Sequence, residues 1–181
     1  ETTIRTAIAA IYNAPSEISG APSTGRLLFD DWLADPANTN EKIFVEFRSG
    51  DPQFVVFSST TESPTIFFDV NAVAALAYID NSGTAVQATV EAILAHELVH
   101  FLKGLDDAPA GKTAKDLKAS EGHGLNGKDD YKQDTVVFTN KIHRELGIPE
   151  RNSYFSLSDI GKYVQLGLQY SHGSEIDRSV V

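Results

Sequence analysis

The sequence contains no cysteine and comparatively few basic residues. Without cysteine there can be neither a disulfide bond nor a thiolate metal site, which excludes the disulfide-rich secreted folds. Only 15 Lys and Arg stand against 25 Asp and Glu, so the formal net charge is -10. Because nucleic acids and anionic membrane surfaces both attract clustered positive charge, neither is an expected partner. A basic substrate segment is compatible with this charge.

Long hydrophobic runs are also absent. The longest, residues 70–79, falls short of the roughly 18–20 apolar residues of a membrane-spanning helix, and Asp69 and Asp80 flank it. No signal-peptide pattern opens the chain, which begins at a Glu, so a preceding segment is left open. The 181 residues fit one domain over residues 1–181, large enough to bury a substantial core.

The first half of the sequence favours short elements. A helix is predicted over residues 2–12, where three isoleucines form one stripe, and a helical or irregular segment over residues 26–33. Three strands are expected to form an antiparallel meander; they are residues 43–47, 54–57 and 65–70.

The second half favours two long helices. Residues 84–103 are apolar on nearly every face, which is typical of a helix in the core, and Gly104 fits a left-handed C-cap. A long surface loop over residues 104–129 and a second helix over residues 130–146, closed by Gly147, are predicted next. A short helix is expected near residues 158–166. The fold class is therefore α+β: a small, mostly antiparallel sheet packed on the first long helix, with the second helix across a cleft.

The first long helix carries the sequence His96-Glu97-Leu98-Val99-His100, an H-E-x-x-H motif. Residues i and i+4 lie on one face of a helix, so His96 and His100 can direct two imidazole nitrogens at one Zn²⁺ ion. Glu97 is rotated by about 100° and can act as the general base on a zinc-activated water. The alternative is a solvated face with two histidines. The apolar flanks at residues 92–95 and 101–102 favour the zinc site.

A catalytic zinc needs a third protein ligand, and three aspartates are candidates. Asp134 is favoured because Asp is mildly unfavourable inside a helix and this one lies near Val137 and Phe138. Asp130 is next, although an N-cap role explains it equally well. Asp106 lies six residues after His100, where zinc sites built from a single compact motif place the third ligand. Those sites have a Gly three residues after the second His; here that residue is Lys103, and Gly104 follows it.

Four further residues have both a functional and a structural interpretation. For His123 and His143 we favour the structural one: a surface loop residue and a histidine stabilised by the dipole at a helix C-terminus, respectively. Tyr154 is a candidate donor to the negative charge of a tetrahedral transition state, and Arg151 is a candidate partner of that charge or of a substrate carboxylate. The structural alternatives are a Tyr packed in the core and an Arg bonded to the helix end.

Over about residues 64–155, the chain resembles the effector-type zinc metallopeptidases, the short zincins of bacterial type III effectors and toxin domains. The segments that carry the resemblance are Pro64-Thr-Ile-Phe-Phe-Asp69, Leu94-Ala-His-Glu-Leu-Val-His100, Asn140-Lys-Ile-His-Arg-Glu-Leu-Gly-Ile-Pro149 and Arg151-Asn-Ser-Tyr154. Clostridial neurotoxin light chains are more distantly similar and share the zinc motif and the Arg-x-x-Tyr element. The resemblance implies a zincin-like fold in which Arg151 and Tyr154 form the transition-state pair. In that family two adjacent acids usually precede a Thr on the second helix; here Tyr131 and Lys132 occupy that register before Thr135.

These observations predict a zinc-dependent endopeptidase, a monomer that acts on a protein or peptide substrate. The resemblance implies that it is secreted or delivered into the cytosol of a target cell. One alternative is a non-catalytic binding module stabilised by zinc, which would not need Glu97. A second alternative is a secreted digestive peptidase, which would cleave denatured proteins broadly.

Overall fold

The computed structural model describes residues 2–38, 44–47, 65–74, 76–105 and 134–156. In this part of the chain the helices are α1 Thr2–Tyr12, α2 Thr24–Ala34, a 3-10 turn Pro36–Asn38, α3 Val70–Val73, α4 Val90–Lys103 and α5 Asp134–Leu146. The strands are β1 Phe44–Phe47, β2 Thr65–Phe68, β3 Ala77–Asp80, β4 Ala85–Gln87 and β5 Arg151–Ser156. The strand predicted at 54–57, most of the loop 104–129 and the helix near 158–166 lie outside the described residues.

Helices α1 and α2 both pack on the central helix α4. The helix predicted over residues 2–12 is confirmed, and the segment at residues 26–33, expected to be helical or irregular, is helical. Ala7 and Ile11 of α1 are fully buried. Gly25 lets α2 approach α1 closely, because a Cβ atom at this position would lie 2.3 Å from the backbone oxygen of Ile11. Glu145 of α5 accepts hydrogen bonds from the backbone and hydroxyl of Thr24, and so holds the start of α2 against α5.

Helix α4 is the centre of the fold and is shorter than predicted. It begins at Val90, after Thr89 caps it by accepting a hydrogen bond from the Ala92 amide, 3.1 Å away. The predicted start at residue 84 is wrong, because residues 85–87 are held in strand β4 by pairing with β3. All eight residues from 92 to 99 are buried, which confirms the core position expected from an all-round apolar helix. Gly104 ends the helix with φ 62°, the predicted left-handed C-cap.

The strands form two small sheets, and the predicted meander is wrong. β1 and β2 are direct neighbours and run parallel, with Val45 opposite Ile66. The second sheet has the order β4-β3-β5 and is antiparallel. Strand β3 was not predicted, and the predicted strand over 65–70 ends at Phe68, since Val70 starts α3. The α+β class is confirmed, and the antiparallel arrangement holds for one of the two sheets.

Helix α5 packs antiparallel to α4. His143, late in α5, contacts Ala92, early in α4, whereas Phe138, earlier in α5, lies against Lys103 at the end of α4. The predicted end of this helix is confirmed, with Gly147 at φ 68° just beyond it. Among the helices of the described residues, none has the length and apolar character of a membrane span.

Candidate metal centre

The two histidines of the motif face each other on α4. Their Nε2 atoms are 3.1 Å apart. The two rings stand nearly perpendicular at 89°, with centroids 4.7 Å apart. His96 is 4% exposed, and His100 is partly exposed at the edge of the core. The i, i+4 spacing therefore brings two imidazole nitrogens to one point.

This pair of nitrogens fits a zinc ion. Two nitrogen ligands at about 2.0–2.1 Å in a tetrahedral site are separated by about 3.3 Å, close to the 3.1 Å between the two Nε2 atoms. The other ring nitrogen of His100, Nδ1, lies 2.5 Å from the carbonyl oxygen of Leu105. A carbonyl can only accept a hydrogen bond, so the proton of a neutral His100 ring is on Nδ1 and Nε2 keeps its lone pair. Histidines that bind metals in proteins commonly have such a partner on the second nitrogen.

Glu97 lies beside His96 and is 7% exposed. A charged carboxylate in such a position is costly unless it interacts with a donor or a cation. The next residue along the helix, Leu98, is part of the hydrophobic core. Glu97 therefore lies on a buried stretch of α4, next in the chain to His96.

The structure leaves the third ligand open. Asp134 is the first residue of α5, but the structure does not describe its side chain. The other candidates, Asp130, Asp106 and His123, lie entirely outside the described residues. Within the described ranges, no group of three or more His, Cys, Asp or Glu residues is arranged to hold a metal ion. The described centre therefore consists of two nitrogens, and the proposed carboxylate stays a prediction.

The end of α4 turns the chain back toward the histidines. The Gly104 amide donates to the His100 carbonyl at 3.0 Å, and the next residue, Leu105, places its own carbonyl on the His100 ring. The chain turns at Gly104, one residue after the glycine position in the sequence pattern of compact zinc sites. Asp106 follows Leu105 directly in the chain.

Arg151 begins strand β5 and is only 7% exposed. Its guanidinium carbon lies 5.6 Å from the centre of the Tyr78 ring, a cation–π contact. Its backbone is bonded to the Asn140 side chain of α5. These backbone bonds attach the start of β5 to α5, and both roles considered for the Arg151 side chain stay predictions. Tyr154 lies in the same strand, and its side chain is outside the description.

His143 is fully buried between α4, α5 and the segment before β5. Its Nε2 lies 3.3 Å from the Ala92 carbonyl and its Nδ1 lies 3.3 Å from the Pro149 carbonyl. Burial lowers the pKa of His143 to about 4, and the positive charges of Arg151 and His96 act in the same direction. The contacts with the two carbonyl oxygens raise the pKa, but desolvation outweighs them, so the ring is neutral at physiological pH and not the charged histidine that a helix dipole favours.

Tyr78 lies beside the Arg151 guanidinium. It was not identified from the sequence as a candidate site residue. Its hydroxyl donates to the Pro149 carbonyl at 2.7 Å, and burial raises its pKa to about 12. It lies in β3, inside an apolar run, and nothing local marks it as different from a core aromatic. Its position follows from the pairing of β3 with β5, which brings Tyr78 opposite Ser156 and Asp80 opposite Arg151.

His143 has contacts both with α4 and with the segment before β5. The charges of both His96, on the motif helix, and Arg151, at the start of β5, act on its pKa. Its hydrogen-bonding contacts likewise reach α4 through Ala92 and the β5 approach through Pro149. The fold therefore brings His143 into contact with the Ala92 carbonyl, 51 positions away in the chain.

No protein-family model and no curated protein matches the chain. Among solved structures, the chain is similar to the crystal structure of the Salmonella zinc metalloprotease effector GtgA. The TM-score is 0.52 and the sequence identity 17%, with 85% of this chain and 68% of that chain covered. At this identity the similarity concerns the fold, because one fold can host unrelated activities.

Proposed function

We propose that this protein is a zinc-dependent endopeptidase. The observation that carries the proposal is the 3.1 Å separation of the His96 and His100 Nε2 atoms on a buried helix that also holds Glu97. A merely structural zinc site needs no general base, whereas Glu97 is retained in the core at a desolvation cost. The fold similarity to a zinc metalloprotease supports the same reaction class.

His96 and His100 would hold the metal through Nε2. A bound zinc ion supplies a water whose pKa is near 7 and polarises the peptide carbonyl. Glu97 would accept the proton from the attacking water on its carboxylate and pass it to the leaving amine nitrogen. The Leu105 carbonyl keeps the His100 ring in the tautomer that this arrangement requires.

Arg151 is proposed to stabilise the negative charge that develops on the carbonyl oxygen, together with Tyr154. The charge of a guanidinium is nearly independent of pH, so it is a constant electrostatic partner in a buried place. The Tyr78 ring and the bonds of Asn140 limit the freedom of Arg151, and a preorganised donor stabilises a transition state better than a mobile one does.

Asp134 and Asp106 compete for the third ligand position. The packing of α5 against α4 favours Asp134. Its position argues against it, because Asp134 lies one heptad before Lys141, an exposed residue of the same helix. In favour of Asp106, the chain returns to the His100 ring at Leu105, the residue immediately before it. Asp130 is the remaining candidate.

The substrate is proposed to be a protein or peptide, cleaved by a monomer that is secreted or delivered into a target cell. The description of the structural neighbour as an effector and the family resemblance of the motifs support this proposal. The net charge of -10 is unfavourable for nucleic acid as a partner.

The decisive experiment compares zinc content and peptidase activity in wild type, His96→Ala and Glu97→Gln. We expect about one zinc per chain in wild type, loss of zinc in His96→Ala, and retained zinc with activity lowered by about 10²- to 10⁴-fold in Glu97→Gln. Asp134→Asn and Asp106→Asn identify the third ligand by which of them loses zinc. Wild-type protein without zinc after reconstitution would refute the metallopeptidase. Zinc with no hydrolysis of any protein substrate would instead support a zinc-stabilised binding module.

A further inference from the structure

We propose that Asn140 is a positioning residue of this site: by pairing with both backbone polar groups of Arg151, it fixes the point from which the Arg151 side chain extends. This inference rests on the proposed function, in which Arg151 stabilises the transition state. Asn140 itself is 3% exposed, and in this proposal it acts only through Arg151.

The Asn140 side chain imitates a neighbouring strand. Its Oδ1 accepts from the Arg151 amide at 2.9 Å, and its Nδ2 donates to the Arg151 carbonyl at 2.8 Å. Both bonds are buried and join residues 11 positions apart. A carboxamide is suited to this task because it carries a donor and an acceptor in one plane. Neither Asp, which has only acceptors when ionised, nor an apolar residue can make both bonds.

A second set of contacts holds the chain at Pro149, two residues before Arg151. The Pro149 carbonyl accepts from the Tyr78 hydroxyl at 2.7 Å and is approached by His143 Nδ1 at 3.3 Å. On the other side of its ring, His143 reaches the Ala92 carbonyl, one turn before His96 in α4. The approach to β5 is therefore bound to α5 by Asn140, and the His143 ring packs between it and the motif helix, donating to one of the two carbonyls.

The consequence for the reaction is geometric. The guanidinium lies 5.6 Å above the Tyr78 ring, and this placement depends on where the Arg151 backbone is held. A misplacement of about 1 Å in a charge-stabilising group can cost about 10²-fold in rate. Loss of the Asn140 bonds should therefore lower kcat by about 10- to 100-fold, while KM and zinc content change little.

The test is a double-mutant cycle on kcat with Asn140→Ala and Arg151→Ala in the full chain. If Asn140 acts through Arg151, the double variant is no slower than Arg151→Ala alone, within about threefold. Thr139→Val is the matched control. Thr139 is fully buried and neighbours Asn140, and its hydroxyl bonds back to the Thr135 carbonyl of its own helix. Its effect on kcat should be small and should multiply with that of Arg151→Ala.

A second measurement does not depend on activity. Hydrogen exchange of the Arg151 amide should be faster in Asn140→Ala than in wild type or Thr139→Val, because its acceptor is removed. Asn140→Asp, which keeps the acceptor, serves if Asn140→Ala does not fold: it should slow kcat with less effect on this amide.

Three results would overturn the inference. They are multiplicative effects in the cycle, an unchanged kcat in Asn140→Ala, and an Arg151 amide that exchanges at the wild-type rate in Asn140→Ala. Each of them would be seen with an active wild type. Failure of the proposed function is distinct, because it appears as a wild type without zinc or hydrolysis.

Discussion

Replacing His143 with Gln should remove a large part of the acid sensitivity of this fold. A neutral histidine whose pKa is about 4 when folded and about 6.5 when unfolded binds fewer protons in the native state between these values. Stability from this residue is therefore complete above about pH 6.5 and is lost as the pH falls toward 4. The shift of about 2.5 units corresponds to about 3.4 kcal/mol in total, of which about 2 kcal/mol is lost between about pH 7.5 and pH 5.

The assay is urea unfolding of wild type and His143→Gln at these two pH values, with a chelator present so that both proteins are metal-free. His143→Gln should be less stable than wild type at about pH 7.5, because the fully buried ring is lost. It should lose about 2 kcal/mol less than wild type on acidification. Lys141→Gln, exposed on the same helix, should follow wild type. An equal loss in wild type and His143→Gln, within about 0.5 kcal/mol, would refute a neutral His143.

Two further predictions concern the helix contacts that hold α2 in place, both measured by urea unfolding. Glu145→Ala removes the carboxylate that accepts from the Thr24 amide at 2.8 Å and from its hydroxyl at 3.0 Å, and should cost about 1.5–3 kcal/mol. Gly25→Ala puts a Cβ atom 2.3 Å from the Ile11 backbone oxygen, and should cost about 1–3 kcal/mol, since backbone must move. The control for both is Thr6→Ala, at an exposed position of α1, which should change the free energy of unfolding by no more than about 0.5 kcal/mol. A change of the same small size in Glu145→Ala or Gly25→Ala would contradict the role of that contact.

The helices could be predicted from the sequence where their signals are local. The isoleucine stripe of α1 and the glycines that end α4 and α5 depend on neighbouring residues only, and these elements have the predicted ends. The start of α4 shows the limit. Residues 85–87 continue an acceptable helical pattern, but their backbone pairs with β3. Strand pairing is a contact between distant residues, so the β3–β4 hairpin and the parallel β1–β2 pair were not visible in local periodicity.

The candidate site likewise has a part that local sequence predicts and a part that depends on contacts between distant residues. The approach of His96 to His100 follows from helix geometry, and any helix over these residues would produce it. Arg151 could be suspected from its motif, whereas its partners could not. Asn140 and His143 lie on α5 at helix positions that carry core residues in many proteins, and their roles arise only when β5 packs against α5.

The neutral state of His143 bears on how the two halves of the site can coexist. Arg151 and His96 both disfavour a proton on His143, and a dication at His96 would act in the same direction, since positive charge opposes a further positive charge nearby. The neutral ring is thus the state compatible with Arg151 both with and without metal. A histidine that stays neutral across the physiological range does not supply protons to the reaction. In the proposed mechanism His143 is therefore a structural residue packed between α4 and the segment before β5, and Glu97 is the group that moves the proton.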